Sequence, residues 1–164
     1  MSKLFVDNIA SKTGGTDALT IDSSGRVTIP NVTISNRPYA LADFGGSGYV
    51  SKPNGSTLIF DNATHNDGNH YNTATGLFTC PLNGLYTVQG NMLSQNTTDS
   101  YEIWVVQNGV VFSRAFATYR ALDFSTTVKC TAGQTLNLAI GTTTPIYEGT
   151  GTSRYSFVIF TYIG

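Results

Sequence analysis

Charge is what this sequence has least of. Only 12% of its 164 residues are Asp, Glu, Lys or Arg, and they nearly cancel, to a net charge of −1. A chain with no excess of cations builds no attractive field for a nucleic-acid backbone or an anionic bilayer, so neither is expected as a partner. Its two cysteines, Cys80 and Cys130, are too few for a disulfide framework and lack metal-site spacing. Each follows an apolar residue two positions earlier, Phe78 or Val128, as an inward-facing strand position would, and both are read as buried thiols. No stretch approaches the roughly 20 apolar residues of a membrane helix, and the opening MSKLFVDNIASKTGG lacks a signal-peptide core. The expectation is a soluble, intracellular product that inserts in no membrane.

Helical patterning is missing too, since no apolar stripe of period 3.6 runs for the length of a helix. What fills the chain is Thr, Ser, Asn and 17 Gly, with 12% aromatics, a mixture suited to half-buried strands and tight turns. The composition is that of an all-β protein, and the length fits one domain with a small appendage.

The appendage is visible at the start. ALTIDSSGRVTIPNVTIS holds three short extended pieces, with Leu19 and Ile21, Val27 and Ile29, and Val32 and Ile34 in steps of two. Ribbons this short are marginal in water, which favours a small intertwined stalk whose apolar side is covered by other copies. SKTGGTD before it and NRPYALADFGGSG after it read as joints. Residues 1–40 are therefore expected to be an attachment and stalk segment, docking on a larger assembly through Leu4, Phe5 and Ile9, and residues 41–164 a head.

From Gly48 onward, strand-like runs recur between turn signals: TLIF, LFTCPL, LYTVQGNMLS, YEIWVVQNG, VVFSRAFATY, FSTTVKC, TLNLAIG and SRYSFVIFTYI. Asn108-Gly109 suits a tight hairpin. Two runs are apolar on both faces. In YEIWVVQ, Trp104 and Val106 lie opposite Tyr101, Ile103 and Val105, and SFVIFTYI is alike. A sandwich covers one face of each sheet, so the second face needs other cover. Self-association is the simplest, with Trp104, Val106, Phe157, Ile159, Phe160 and Tyr162 as the expected trimer interface or core; cover by the chain's own loops or stalk is the alternative.

YNTATGLFTCPLNGLYTV resembles a segment of complement C1q-type globular heads, with Tyr71, Gly76, Phe78, Thr79, Cys80, Gly84, Leu85 and Tyr86 on the family pattern and Asn83 where proline is usual. Phe60 with Asn62, Asn108-Gly109, CTAGQTLNL and the terminal YSFVIFTYI follow in the family's order, so the resemblance covers about residues 48–164. Gln134 replaces the usual acid after Gly133, and Val158 stands where the last strand usually has glycine; ion binding by some relatives is not carried over. The resemblance implies a jelly-roll sandwich of about ten strands that assembles as a homotrimer, like tumour necrosis factor (TNF). Separately, the opening KLFVDNIASKTG and its alternating sequel are similar to the openings of tailed-phage fibre and appendage proteins.

The polar constellations argue against chemistry. His65, Asp67 and His70 in HNDGNH match no metal motif and read as a solvated loop. No nucleophile elbow occurs, and a glycosidase would need two of Asp61, Asp67, Asp99, Glu102, Asp123 and Glu148 facing one another across a cleft. The Asn-X-Ser/Thr sites at Asn31, Asn54, Asn62 and Asn96 matter only in a secreted chain. Loops 94–101 and 141–155 mix hydroxyls, amides and aromatics, as sugar-binding surfaces do, and nominate Asn96, Tyr101, Tyr147, Arg154 and Tyr155 as ligand contacts.

These observations converge on a non-enzymatic virion structural protein without a cofactor, a phage fibre or appendage tip. It trimerises, joins other virion proteins through its amino-terminal segment and meets a glycan or protein of the host surface. Two alternatives remain: a decoration, collar or capsid-associated protein without receptor binding, and a lectin-like head outside any virus.

Overall fold

The computed structural model describes residues 8–10, 17–21, 23–25, 27–28, 37–95, 100–148 and 155–164. The chain divides into two compact units, Met1–Ser35 and Asn36–Gly164. In the first, β1 (Asn8–Ala10), β2 (Asp17–Ile21) and β3 (Val27–Thr28) form an antiparallel sheet in that order. Ile9 pairs with Leu19 and Ile21 with Val27, and Gly25 makes the β2–β3 turn at φ 77°, a value that favours glycine. Leu4, Phe5, Val32 and Ile34 lie outside the described residues.

The boundary falls earlier than residue 40. YALAD, read from sequence as part of a joint, is a strand, β4 (Tyr39–Asp43), with Ala40 and Ala42 fully buried. Pro38 and the Gly45-Gly46 pair crowd its ends, and two alanines make a faint apolar alternation, so the strand passes for linker.

The second unit continues with β5 (Tyr49–Lys52), β6 (Asn62–Asp67), β7 (Tyr71–Asn72), β8 (Leu77–Thr79), β9 (Gly84–Leu93), β10 (Tyr101–Gln107), β11 (Val110–Ala117), β12 (Ala121–Cys130), β13 (Thr135–Ile140), β14 (Thr144–Tyr147) and β15 (Phe157–Tyr162). Two five-stranded sheets, β11-β10-β13-β8-β7 and β12-β9-β15-β4-β6, hold ten strands, and β14-β5 is a separate ribbon. All pairs are antiparallel. The result is an all-β jelly-roll sandwich. Asn108 and Gly109, at φ 49° and 77°, close the β10–β11 hairpin with the two left-handed residues that such a turn demands.

Two stretches differ from expectation. TLIF is no strand: Thr57 makes a single bridge to Ala139, and the Leu58 N–H donates to the Leu138 carbonyl at 2.8 Å, which extends the sheet edge beyond β8. HNDGNH is half strand, since His65 to Asp67 end β6 and pair with β4, leaving the turn to Gly68, Asn69 and His70. Alternation with polar outward residues hid this strand.

The resemblance motif lies in the core, where its residues earn their identities. Phe78 and Cys80 are fully buried, as is Tyr86, whose hydroxyl sits 2.9 Å from the Leu82 carbonyl. Tyr71 stacks on Phe160, centroids 5.8 Å apart, while its hydroxyl accepts the Phe60 N–H at 3.1 Å. Asn83, in place of proline, accepts the Ala132 N–H with its side chain at 2.8 Å. Val158 is accommodated because its neighbours across the sheet are Gly90 and Ala42, small on both sides. Cys80 and Cys130 are buried and unpaired as a disulfide. Among the described residues no helix is long and apolar enough to cross a membrane.

Candidate functional site

Two kinds of surface stand out, one apolar and one an aromatic pocket. One apolar surface follows from a doubly apolar strand. On β15, Val158 and Phe160 point into the core, whereas Phe157 and Ile159 are partly buried on the sheet's other face. They border a shallow groove of about 260 Å³ with Gln89, Gly90, Asp123 and Phe124. A second, different surface lies along β11, the edge strand of the other sheet: Val110, Phe112 and Phe116 are 70%, 49% and 62% exposed, and Tyr119 just beyond the strand is 71% exposed.

Four residues grouped with the interface in the sequence reading have cover within their own chain. Phe160 is fully buried in the core. Tyr162 packs edge-on against Tyr86, centroids 5.2 Å apart. Trp104 is only partly exposed: its indole N–H donates to Glu102 Oε2 at 2.7 Å and the Arg114 guanidinium lies 5.1 Å from its ring. Val106 is buried, and with Trp104 it lines a groove of about 380 Å³ beside Thr57, Val111 and Ala139. The segment around Thr57 pairs with β13 beside β8, so its Thr57 side chain borders the same groove.

The pocket forms at one end of the second unit. Tyr49 on β5 and Tyr147 on β14 are a cross-strand pair with centroids 5.1 Å apart and planes at 66°. Tyr155, just before β15, meets Tyr147 edge-on at 5.4 Å and 82°. With Leu93 and Arg120 these rings line an open depression of about 440 Å³.

Arg120 is held there from several sides. Its carbonyl accepts the Ser94 N–H at 2.6 Å. One guanidinium nitrogen, Nη2, donates to the Tyr49 hydroxyl at 2.5 Å, and the guanidinium lies 6.0 Å from that ring. Nε reaches the Ser94 carbonyl at 3.5 Å. Among the described residues no carboxylate is paired with Arg120; the ion pairs there are Lys52–Glu148 and Arg114–Glu102.

Of the residues nominated from sequence, Tyr147 and Tyr155 come together in this pocket. Tyr101 does not join them. It is fully buried, with its hydroxyl 2.9 Å from the Met92 carbonyl and 3.2 Å from that of Arg120, so it supports the turn from below and touches no ligand. Its place at the start of an apolar strand carried this signal, since Tyr101 alternates in step with Ile103 and Val105. Asn96 and Arg154 lie outside the described residues. Sequence reasoning missed Tyr49 and Arg120, which are distant in the chain and meet only because β5 pairs with β14 and the β11–β12 turn folds over Ser94.

Residues 47–142 match the C1q domain family. Solved structures of similar fold include the Eiger TNF of S. frugiperda, 12% identical over 78% of this chain and 94% of that one, TM-score 0.65. Murine APRIL is 10% identical over 78% and 100%, TM-score 0.62. The globular domain of zebrafish complement 1qA is 11% identical over 77% and 96%, TM-score 0.54. With the match spanning more than half its length and the motif residues packed in its core, this chain belongs to the C1q domain family.

Proposed function

We propose that this protein is a self-associating binding head: a virion structural component of the phage fibre or appendage type, which trimerises and meets the host surface with its end loops. The domain is not an enzyme, since C1q and TNF-type domains are non-catalytic binding modules.

The observation that carries the assembly is the presence of two unlike apolar surfaces on one protomer. The β11 edge offers projecting aromatics, and the β15 face offers a shallow groove around Phe157 and Ile159. A contact between different patches is heterologous and closes as a ring when the rotation permits. Three is the number that the resemblance implies. Three heads would carry three copies of each end pocket, so weak contacts with a repeated surface glycan would sum by effective concentration. The amino-terminal unit, through Leu4, Phe5 and Ile9, would join the head to its assembly. The likeness of that opening to fibre proteins supports the viral placement.

The test has two parts. Purified particles should contain the chain, and the isolated protein should bind host envelope material saturably. Presence in particles without such binding would replace the fibre tip by a decoration or collar role; absence from particles would remove the viral reading.

A further inference from the structure

We infer that the end pocket takes a sugar bearing one carboxylate, with Arg120 holding the carboxylate and Tyr49, Tyr147 and Tyr155 packing against the pyranose ring. This rests on the reading of the chain as a binding head and names the ligand class of its pocket.

Size is the first ground. An open depression of about 440 Å³ is large enough for one sugar residue to lie against the rings, within the roughly 300–1,000 Å³ of small-ligand sites. Ring geometry is the second. Tyr147 meets both Tyr49 and Tyr155 at steep angles, 66° and 82°. An edge-on pair consumes at most one ring face, whereas parallel stacking would hide two, so faces are left for a ligand. A pyranose presents the complementary surface, with C–H groups over the ring and hydroxyls at the rim to meet the phenols.

Charge supplies the third ground. Arg120 has five N–H donors, of which Nη2 is directed to the Tyr49 hydroxyl and Nε to the Ser94 carbonyl. No carboxylate neutralises it among the described residues. A planar guanidinium matches a carboxylate in a forked, two-bond geometry; the Tyr101 hydroxyl and the Ser94 N–H hold the Arg120 backbone carbonyl, and the Tyr49 hydroxyl orients the exposed guanidinium. Among the described residues Arg120 is also the single cation lining the pocket, in a chain whose net charge is −1. One positive charge in an otherwise neutral setting selects a monoanion; a polyphosphate or sulfated polymer would call for several. Tyr49 thus has two tasks, as a wall of the pocket and as the acceptor that aims Arg120.

The experiment titrates the full chain with methyl glucuronide, with methyl glucoside as the neutral match and with acetate as the bare anion, each to about 10 mM, followed by ligand-observed NMR. The glucuronide should bind at least about tenfold more tightly than the glucoside, and acetate should compete only weakly. Arg120→Gln should abolish that preference while leaving weak binding of both sugars, and Tyr147→Ala should lower the affinity for both. Equal affinity for acid and neutral sugar in the unmodified protein overturns the proposal without recourse to any variant. So does acetate binding as tightly as the glucuronide, which would make this an anion site without a sugar. Envelope material binding equally to the native chain and to a folded Arg120→Gln variant would also overturn it and leave the binding-head reading standing. A native chain that binds neither the sugars nor the envelope would remove both.

Discussion

The ring of Phe78 lies parallel to that of Phe160, with centroids 4.8 Å apart and planes 9° apart. One belongs to β8 in the first large sheet, the other to β15 in the second, so this stack ties the C1q-type motif to the carboxyl-terminal strand across the sandwich. Both rings are fully buried. Phe160→Ala should cost about 3–5 kcal/mol in urea unfolding, the range for removing a buried phenyl group. A loss below about 1 kcal/mol would mean that this stack is not the centre of the core.

Self-association should obey the two-patch geometry. Light scattering should give three times the 17.6 kDa chain mass. Phe116→Asp at the edge and Ile159→Asp on the face should each yield folded protomers, because both side chains project away from the core. Mixing the two variants is the sharper measurement. Each retains the patch that the other has lost, so a heterologous contact predicts a 1:1 heterodimer. If neither variant alters the mass, these surfaces are not the interface.

Small residues beside Val158 should resist enlargement. A Cβ added at Gly90 would run into the Phe157 carbonyl and lie 3.0 Å from the Phe124 ring. Backbone cannot move aside as the tip of a side chain can, so Gly90→Ala should destabilise by about 1–3 kcal/mol, read from denaturant midpoints. A neutral outcome would show that β9 and β15 sit farther apart than described.

The buried phenols should make stability fall in alkali. Burial raises Tyr71, Tyr86 and Tyr101, with Tyr86 pushed up to about 12 from an ordinary 10.0. The folded state then holds protons that the unfolded chain would release. Their contribution is therefore complete below pH 10.0 and is lost as pH climbs through about 12. Urea midpoints should fall over that interval while tyrosinate absorbance on the same samples rises. Titration of every tyrosine near 10.0 without unfolding would contradict the burial.

The buried thiols extend the same argument. Burial raises both Cys80 and Cys130, and a side-chain hydrogen bond from their mutual contact raises Cys80 further. Neither should react with a disulfide reagent at neutral pH in the folded protein, and both should react once it is unfolded. Fast modification of either thiol in the native state would refute their enclosure.

Much of this protein can be read along the chain because strand patterning is local. Alternation at Tyr101, Ile103 and Val105, the Asn108-Gly109 hairpin and the Phe78-Thr79-Cys80 motif each depend on neighbours a few residues away, and together they specify an all-β sandwich of C1q type. The choice among the apolar residues on the second faces was made in three dimensions. All of Phe157, Ile159 and Trp104 end partly buried, but Trp104 meets Glu102 and Arg114 whereas Phe157 and Ile159 border a groove with Gly90 and Phe124, and which neighbours each one meets depends on strand order. The same holds for the pocket. Tyr147 and Tyr155 flank one aromatic loop that the sequence nominates, but Tyr49 and Arg120 come from distant places that no spacing announces. Pairing of β5 with β14 and the turn hydrogen-bonded over Ser94 bring them together, because non-local pairing is set by the closure of the whole sandwich.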